Sequence, residues 1–125
     1  MNHRPIHDTN LPKPVGPYSP GMGFERLVFV SGQGATDPAT GKLAGSDAAS
    51  QTEQCLKNVR TILRAAGSDL AYVLRCGVFL LDMKDFQEMN GVYSRVFAEH
   101  RPARARVLLR QVRPPDARAY GRSAS

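Results

Sequence analysis

The residues best suited to chemistry lie in His100-Arg101-Pro102-Ala103-Arg104-Ala105-Arg106-Val107-Leu108-Leu109. A turn there feeds an arginine into a β-prone apolar run, so Arg104 leaves the mouth of a sheet in a direction set by the strand. A guanidinium held that way can grip a small carboxylate through two parallel hydrogen bonds. The alternative is a solvated surface arginine, one of several in an arginine-rich tail. Ser31-Gly32-Gln33-Gly34 ends an apolar run, and glycine at a strand end lets a ligand approach backbone N–H and C=O groups closely; equally, these glycines only make the turn. Tyr18, in the turn-dense Gly16-Pro17-Tyr18-Ser19-Pro20-Gly21, reads as a lid or as a core anchor, with the pattern favouring the anchor. His3 and His7 have no carboxylate or cysteine at ligand spacing. Cys55 and Cys76 lack metal-ligand spacing and read as buried thiols, not as a disulfide or zinc site.

The elements that must position these groups follow from periodicity. Residues 27–33 form a short β-branched and aromatic run, and residues 73–81 a second; both read as strands. Residues 47–66 place Cys55, Leu56, Val59, Ile62, Leu63 and Ala66 on one helical face, with Ser46 or Asp47 as cap and Gly67 after the end. Residues 84–99 put Phe86, Met89, Tyr93, Val96 and Phe97 on one stripe, with Asp82 as the expected cap and Asn90 beside the stripe, aimed at a site or at water. A last strand is expected over 104–112. Residues 1–22 carry Pro5, Pro12, Pro14, Pro17 and Pro20 and read as loop; Asp37 to Lys42 has turn composition. Two helices that each bury one face can cover one side of a single sheet. The other side then needs its own cover, which a symmetric oligomer supplies.

At 125 residues the chain reads as one domain. No run approaches bilayer-spanning length and the N-terminus lacks an apolar signal core, so the expectation is a cytoplasmic protein with no membrane partner. The net charge of +6 is unevenly placed: residues 101–125 hold seven arginines against Asp116 alone, while the rest of the chain balances. Such a block attracts nucleic acid or is a solvated tail. Without lysines or an interleaved aromatic ladder, the tail reading is favoured.

Taken together, these segments resemble the reactive-intermediate deaminase family, also called RidA or YjgF. The resemblance rests on Gly16-Pro17-Tyr18-Ser19-Pro20-Gly21, Val30-Ser31-Gly32-Gln33, Asp37-Pro38-x-Thr40-Gly41-Lys42-Leu43, Gln54-x-x-x-Asn58-Val59, Ala65-Ala66-Gly67-Ser68, Val78-Phe79-Leu80-x-Asp82-Met83-x-Asp85-Phe86, Met89-Asn90-x-x-Tyr93, Phe97 and Pro102-Ala103-Arg104, in order over about residues 7–107. No one motif is specific alone; their order and spacing are. The resemblance implies an α+β, chorismate-mutase-like (YjgF-type) mixed sheet with two helices on one face, and a homotrimer with clefts between subunits. It implies hydrolysis of small enamine and imine acids, such as 2-aminoacrylate and 2-iminopropanoate, to 2-oxo acids and ammonia, without metal or organic cofactor. It assigns Arg104 the carboxylate, the backbone at Ser31 and Gly32 and the Arg106 carbonyl the nitrogen end, Tyr18 the closing of the cleft, and Asn90 contact or scaffolding.

After Val107 the family pattern stops. Relatives commonly run through a Leu-Pro turn into a strand bearing the glutamate thought to handle water; here residues 113–125 carry no acid after Asp116 and no alternating apolar run. These residues read as a divergent or disordered tail, produced by real divergence or by a change of reading frame near codon 108; the wealth of Arg, Ala, Pro and Gly favours the frame change. Loss of a final strand would leave backbone groups unpaired and lower stability. Three functions follow in order: an imine deaminase, a non-catalytic binder of small 2-oxo acids in the same clefts, and RNA binding or cleavage, ranked last for want of a base-stacking set.

Overall fold

The computed structural model describes residues 2–108. Three short strands, β1 (His3–Ile6), β2 (Gly21–Phe24) and β3 (Leu27–Val30), form an antiparallel sheet in chain order. Helix α1 (Ala48–Ala65) follows, then β4 (Arg75–Leu80), helix α2 (Phe86–Phe97) and β5 (Ala103–Leu108), with β5 parallel to β4. The parallel pair needs a crossover, and α2 provides it. Both helices lie on one face of this mixed array, the chorismate-mutase-like α+β arrangement. Leu56 and Leu63 of α1, Met89, Tyr93 and Phe97 of α2, and Val78 of β4 form the main core, and Val28 and Val30 of β3 pack against it. One helical layer therefore covers both strand groups, although among the described residues they are hydrogen-bonded as two pieces.

The helix ends show why the sequence stops them there. Asp47 caps α1 by accepting the Ser50 N–H at 2.7 Å. At the other end Gly67, at φ 81°, turns the chain so that its N–H reaches the Arg64 carbonyl (3.0 Å) and the Ser68 N–H reaches that of Leu63 (2.8 Å). That is a Schellman closure, and it requires the left-handed conformation glycine adopts without strain. Ile62, fully buried, packs between α1 and the first sheet beside Ile6 and Leu11. It lies so close to Gly21 that a Cβ there would fall 2.7 Å from its methyl group. The glycine in β2 is a packing requirement.

Four sequence expectations change. Residues 1–22 are not all loop: β1 and β2 lie within or begin inside them. Pro5 is tolerated because β1 is the outer strand of its sheet, and β2 lacks β-branched residues because its glycines fit under α1 and against Arg4. Asp82 does not cap α2; it accepts the Lys84 N–H at 3.0 Å and opens a 3₁₀ turn, Met83–Asp85, from which α2 starts. Tyr18 is no core anchor, being half exposed. The strand expected over 27–33 ends at Val30, while Ser31 still donates its N–H to the Pro20 carbonyl at 2.9 Å. The strand expected over 104–112 is present from Ala103 to Leu108; its remainder and the 113–125 tail lie outside the described residues.

On the sheet side away from the helices, Leu27 and Phe29 alternate outward from β3 at 49% and 61% exposure. A lone chain thus leaves apolar surface in water on the face expected to meet other copies.

Candidate functional site

Arg104 is aimed by the turn that precedes it. Within that turn His100 Nε2 lies 2.6 Å from the Val73 carbonyl, and the Ala103 N–H reaches the Leu74 carbonyl at 3.0 Å. These contacts fix the start of β5 against β4, in a register that sets Arg104 opposite Cys76 and Arg106 opposite Val78. Val78 points into the core beneath the helices, so both arginines leave β5 on the helix side. They meet a stripe of α2 made by Phe86, Asn90 and Tyr93, spaced i, i+4, i+7. Arg104 Nη1 donates to Asn90 Oδ1 at 2.8 Å. Its guanidinium carbon lies 4.7 Å from the Tyr93 ring centre and 5.9 Å from that of Phe86. Asn90 and the rings hold the guanidinium plane and leave most of its fork free to bind an anion.

Beside it opens a cleft of about 430 Å³ lined by Asn90, Tyr93, Ser94, Arg101, Pro102 and Arg104. Arg101 is occupied locally, donating to the Ala98 and His100 carbonyls. The ion pairs among the described residues involve Arg60, Arg64, Lys84 and Arg95, so Arg104 has no carboxylate partner there. Burial pushes the Tyr93 phenol up to about 12, the Cys76 thiol beside it adding to the shift and Arg104 opposing it. Among the described residues no partner meets the Tyr93 hydroxyl with normal hydrogen-bond geometry. Both groups stay protonated at neutral pH, which keeps negative charge out of the clamp.

A second group forms at the end of β3. Ser31 Oγ donates to the Ser19 carbonyl at 2.6 Å, tying the strand end to the loop that carries Tyr18. Gly32 is exposed next to it, and buried Gln33 turns its amide back to donate to the Ser31 carbonyl at 3.2 Å. Asn58, 2% exposed on α1, fixes the following segment. Its amide donates to the carbonyls of Thr36 (3.0 Å) and Gly34 (3.4 Å), and its oxygen accepts from Gln54 Nε2 (3.0 Å).

Of the residues singled out from sequence, Arg104, Asn90 and Arg106 converge on α2, while Tyr18, Ser31 and Gly32 gather on the first sheet. No hydrogen bond or ring contact among the described residues joins the two groups. Sequence reading took Phe86 and Tyr93 as core alone and gave Asn58 no role. The i, i+4, i+7 spacing of Phe86, Asn90 and Tyr93 was the available signal for the first two. Among the described residues no three His, Cys, Asp or Glu side chains cluster as metal ligands, and no helix is long and apolar enough to cross a membrane.

The family model described as Endoribonuclease L-PSP matches residues 8–118, a span that runs past Val107. A RutC family protein of Pyrococcus horikoshii is 44% identical over 102 residues, covering 82% of this chain and 81% of its own. The 2-iminobutanoate/2-iminopropanoate deaminase of Homo sapiens is 38% identical over 102 residues, covering 82% and 74%. The crystal structure of E. coli TdcF with bound serine superposes with a TM-score of 0.80 at 34% identity, over 84% of each chain. Motif order, fold and these likenesses agree, and the chain belongs to the endoribonuclease L-PSP family, the YjgF/RidA family that its motifs resemble.

Proposed function

We propose that this protein hydrolyses small 2-imino acids and their enamine tautomers, such as 2-iminopropanoate and 2-aminoacrylate, to the 2-oxo acid and ammonia. The observation that carries this reading is Arg104, held by Asn90 and Tyr93 with most of its N–H edge open and no carboxylate partner among the described residues. Water adds across the C=N bond, its oxygen to carbon and a proton to nitrogen; the C–N bond then breaks and ammonia leaves. The imine carbon is already electrophilic, so the protein's task is to orient the substrate and place one water. Arg104 grips the carboxylate, the Ser31–Gly32 backbone and the Arg106 carbonyl take the nitrogen end, and Tyr18 closes the cleft. Asn90 acts through Arg104 as a positioning residue. No cofactor is required by this scheme.

The two residue groups belong together only across subunits. The exposed Leu27 and Phe29 face, and the lack among the described residues of any hydrogen bond or ring contact joining the Tyr18 loop to Arg104, support a homotrimer with a site at each interface. The deaminase name carried by the human relative supports the activity.

A second reading, non-catalytic binding of 2-oxo acids, is favoured by one observation: among the described residues no carboxylate lines the cleft to activate water. RNA is the lesser reading, because the Tyr93 ring that lines the cleft is buried in the core and covered by Arg104, leaving no open stacking platform there. Generating 2-iminopropanoate in situ with an amino-acid oxidase and following its loss separates the first two. Acceleration abolished in Arg104→Ala supports the enzyme; no acceleration, with retained 2-oxo-acid binding, supports the binder.

A further inference from the structure

Arg106 is not used, through its side chain, by the reaction above. It stands two residues after Arg104 on the same side of β5, and its guanidinium carbon lies 4.3 Å over the Phe86 ring. The Arg104 guanidinium carbon is 5.9 Å from the same ring centre. Two cations therefore converge on one aromatic side chain, at strand positions whose counterparts on β4, Cys76 and Val78, face the apolar core. Neither has a carboxylate within ion-pair distance among the described residues. Like charges placed this close repel, and an anionic ligand spanning both would relieve the repulsion. Stacking uses the face of a guanidinium and leaves its N–H edge open, so Arg106 presents a second fork beside the first.

We propose that the site selects dicarboxylic 2-imino and 2-oxo acids, Arg104 in the cleft holding the carboxylate next to the reacting carbon and Arg106, outside the cleft lining, taking the carboxylate at the far end. This rests on the Arg104 clamp of the proposed function. Both guanidinium groups approach the Phe86 ring, which offers an apolar surface to the methylene carbons that join two carboxylates. Each fork pairs with one planar carboxylate through two parallel hydrogen bonds, so two forks suit an acid with two carboxylates.

Calorimetric titration of the full-length protein with 2-oxobutanoate and 2-oxoglutarate tests this. The dicarboxylate should bind about tenfold tighter, a preference that Arg106→Gln removes and Arg106→Lys partly keeps. In turnover, the ratio of kcat/KM for the imine of glutamate to that for 2-iminopropanoate should fall about tenfold in Arg106→Gln. Equal binding of the two acids by the unmodified protein, or a preference that survives Arg106→Gln, overturns the inference. If 2-iminopropanoate is still hydrolysed in an Arg104-dependent way, the proposed function stands while this inference falls. Failure to bind either acid overturns both. Arg106 is exposed, and circular dichroism of each variant shows that the fold is retained.

Discussion

The two halves of the candidate site are built by different means. The clamp on β5 and α2 is a side-chain device: Arg104 is held by an amide oxygen and by rings, and its charge points into an open cleft. The end of β3 is a backbone device: Ser31, Gln33 and Asn58 use their side chains to pin carbonyls of the surrounding loops and leave Gly32 exposed. A side-chain device can lose function at one residue while keeping its fold. A backbone device loses shape and stability together, because its buried polar groups are left without partners.

That contrast sets the expected order of effects. Arg104→Ala should lower kcat/KM for 2-iminopropanoate by about a hundredfold or more, since a bidentate charged contact has no substitute in the cleft. Its urea midpoint should stay close to that of the unmodified protein, because the side chain is exposed and unpaired with any acid among the described residues. Asn58→Ala should do the reverse, costing about 2 kcal/mol in urea unfolding by stranding the half-buried carbonyls of Gly34 and Thr36. A stable Asn58→Ala protein would show that the loop does not depend on that amide. Tyr18→Ala should reduce kcat/KM by about tenfold with little change in stability, as a half-exposed ring that closes a cleft without anchoring a core.

The remaining effect is on alkaline stability. Tyr93 holds its proton more tightly in the folded protein, near 12, than in the unfolded chain, where tyrosine titrates near 10. Its contribution is therefore complete below pH 10 and is lost as pH rises towards 12. Tyr93→Phe should flatten that part of the stability profile; an unchanged slope between pH 10 and 12 would place the alkaline loss elsewhere.

How much of this was legible depended on the range of the contacts. Helices α1 and α2 were readable because apolar spacing and caps such as Asp47 and Gly67 are local signals. Strands β1 and β2 were not: Pro5 and Gly21 read as breakers, and only packing under Ile62 shows why glycine must occupy β2. Arg104 stood out by the turn before it and by its place in a family motif. Its dependence on Phe86 and Tyr93 joins a strand to a helix, and the helix periodicity that placed those rings had already assigned them to the core. Tyr18 carried no local mark to separate a lid from an anchor, because that depends on what the loop packs against. Arg106 had a role in the sequence reading only through its carbonyl; the β4–β5 register is what puts its side chain on the same side as Arg104.

The central claim is that Arg104 of one subunit works with the loop carrying Tyr18 of another. Subunit mixing tests it most directly. Arg104→Ala and Tyr18→Ala proteins are unfolded together in urea, refolded as an equal mixture, and assayed for loss of 2-iminopropanoate. If the sites lie between subunits, about a quarter of the interfaces in the mixture unite an intact Arg104 with an intact Tyr18, and activity should rise to about that fraction of the unmodified protein's. Activity no higher than the average of the two variants refolded separately would place both residues in one subunit's site, or outside the site altogether, and contradict the account.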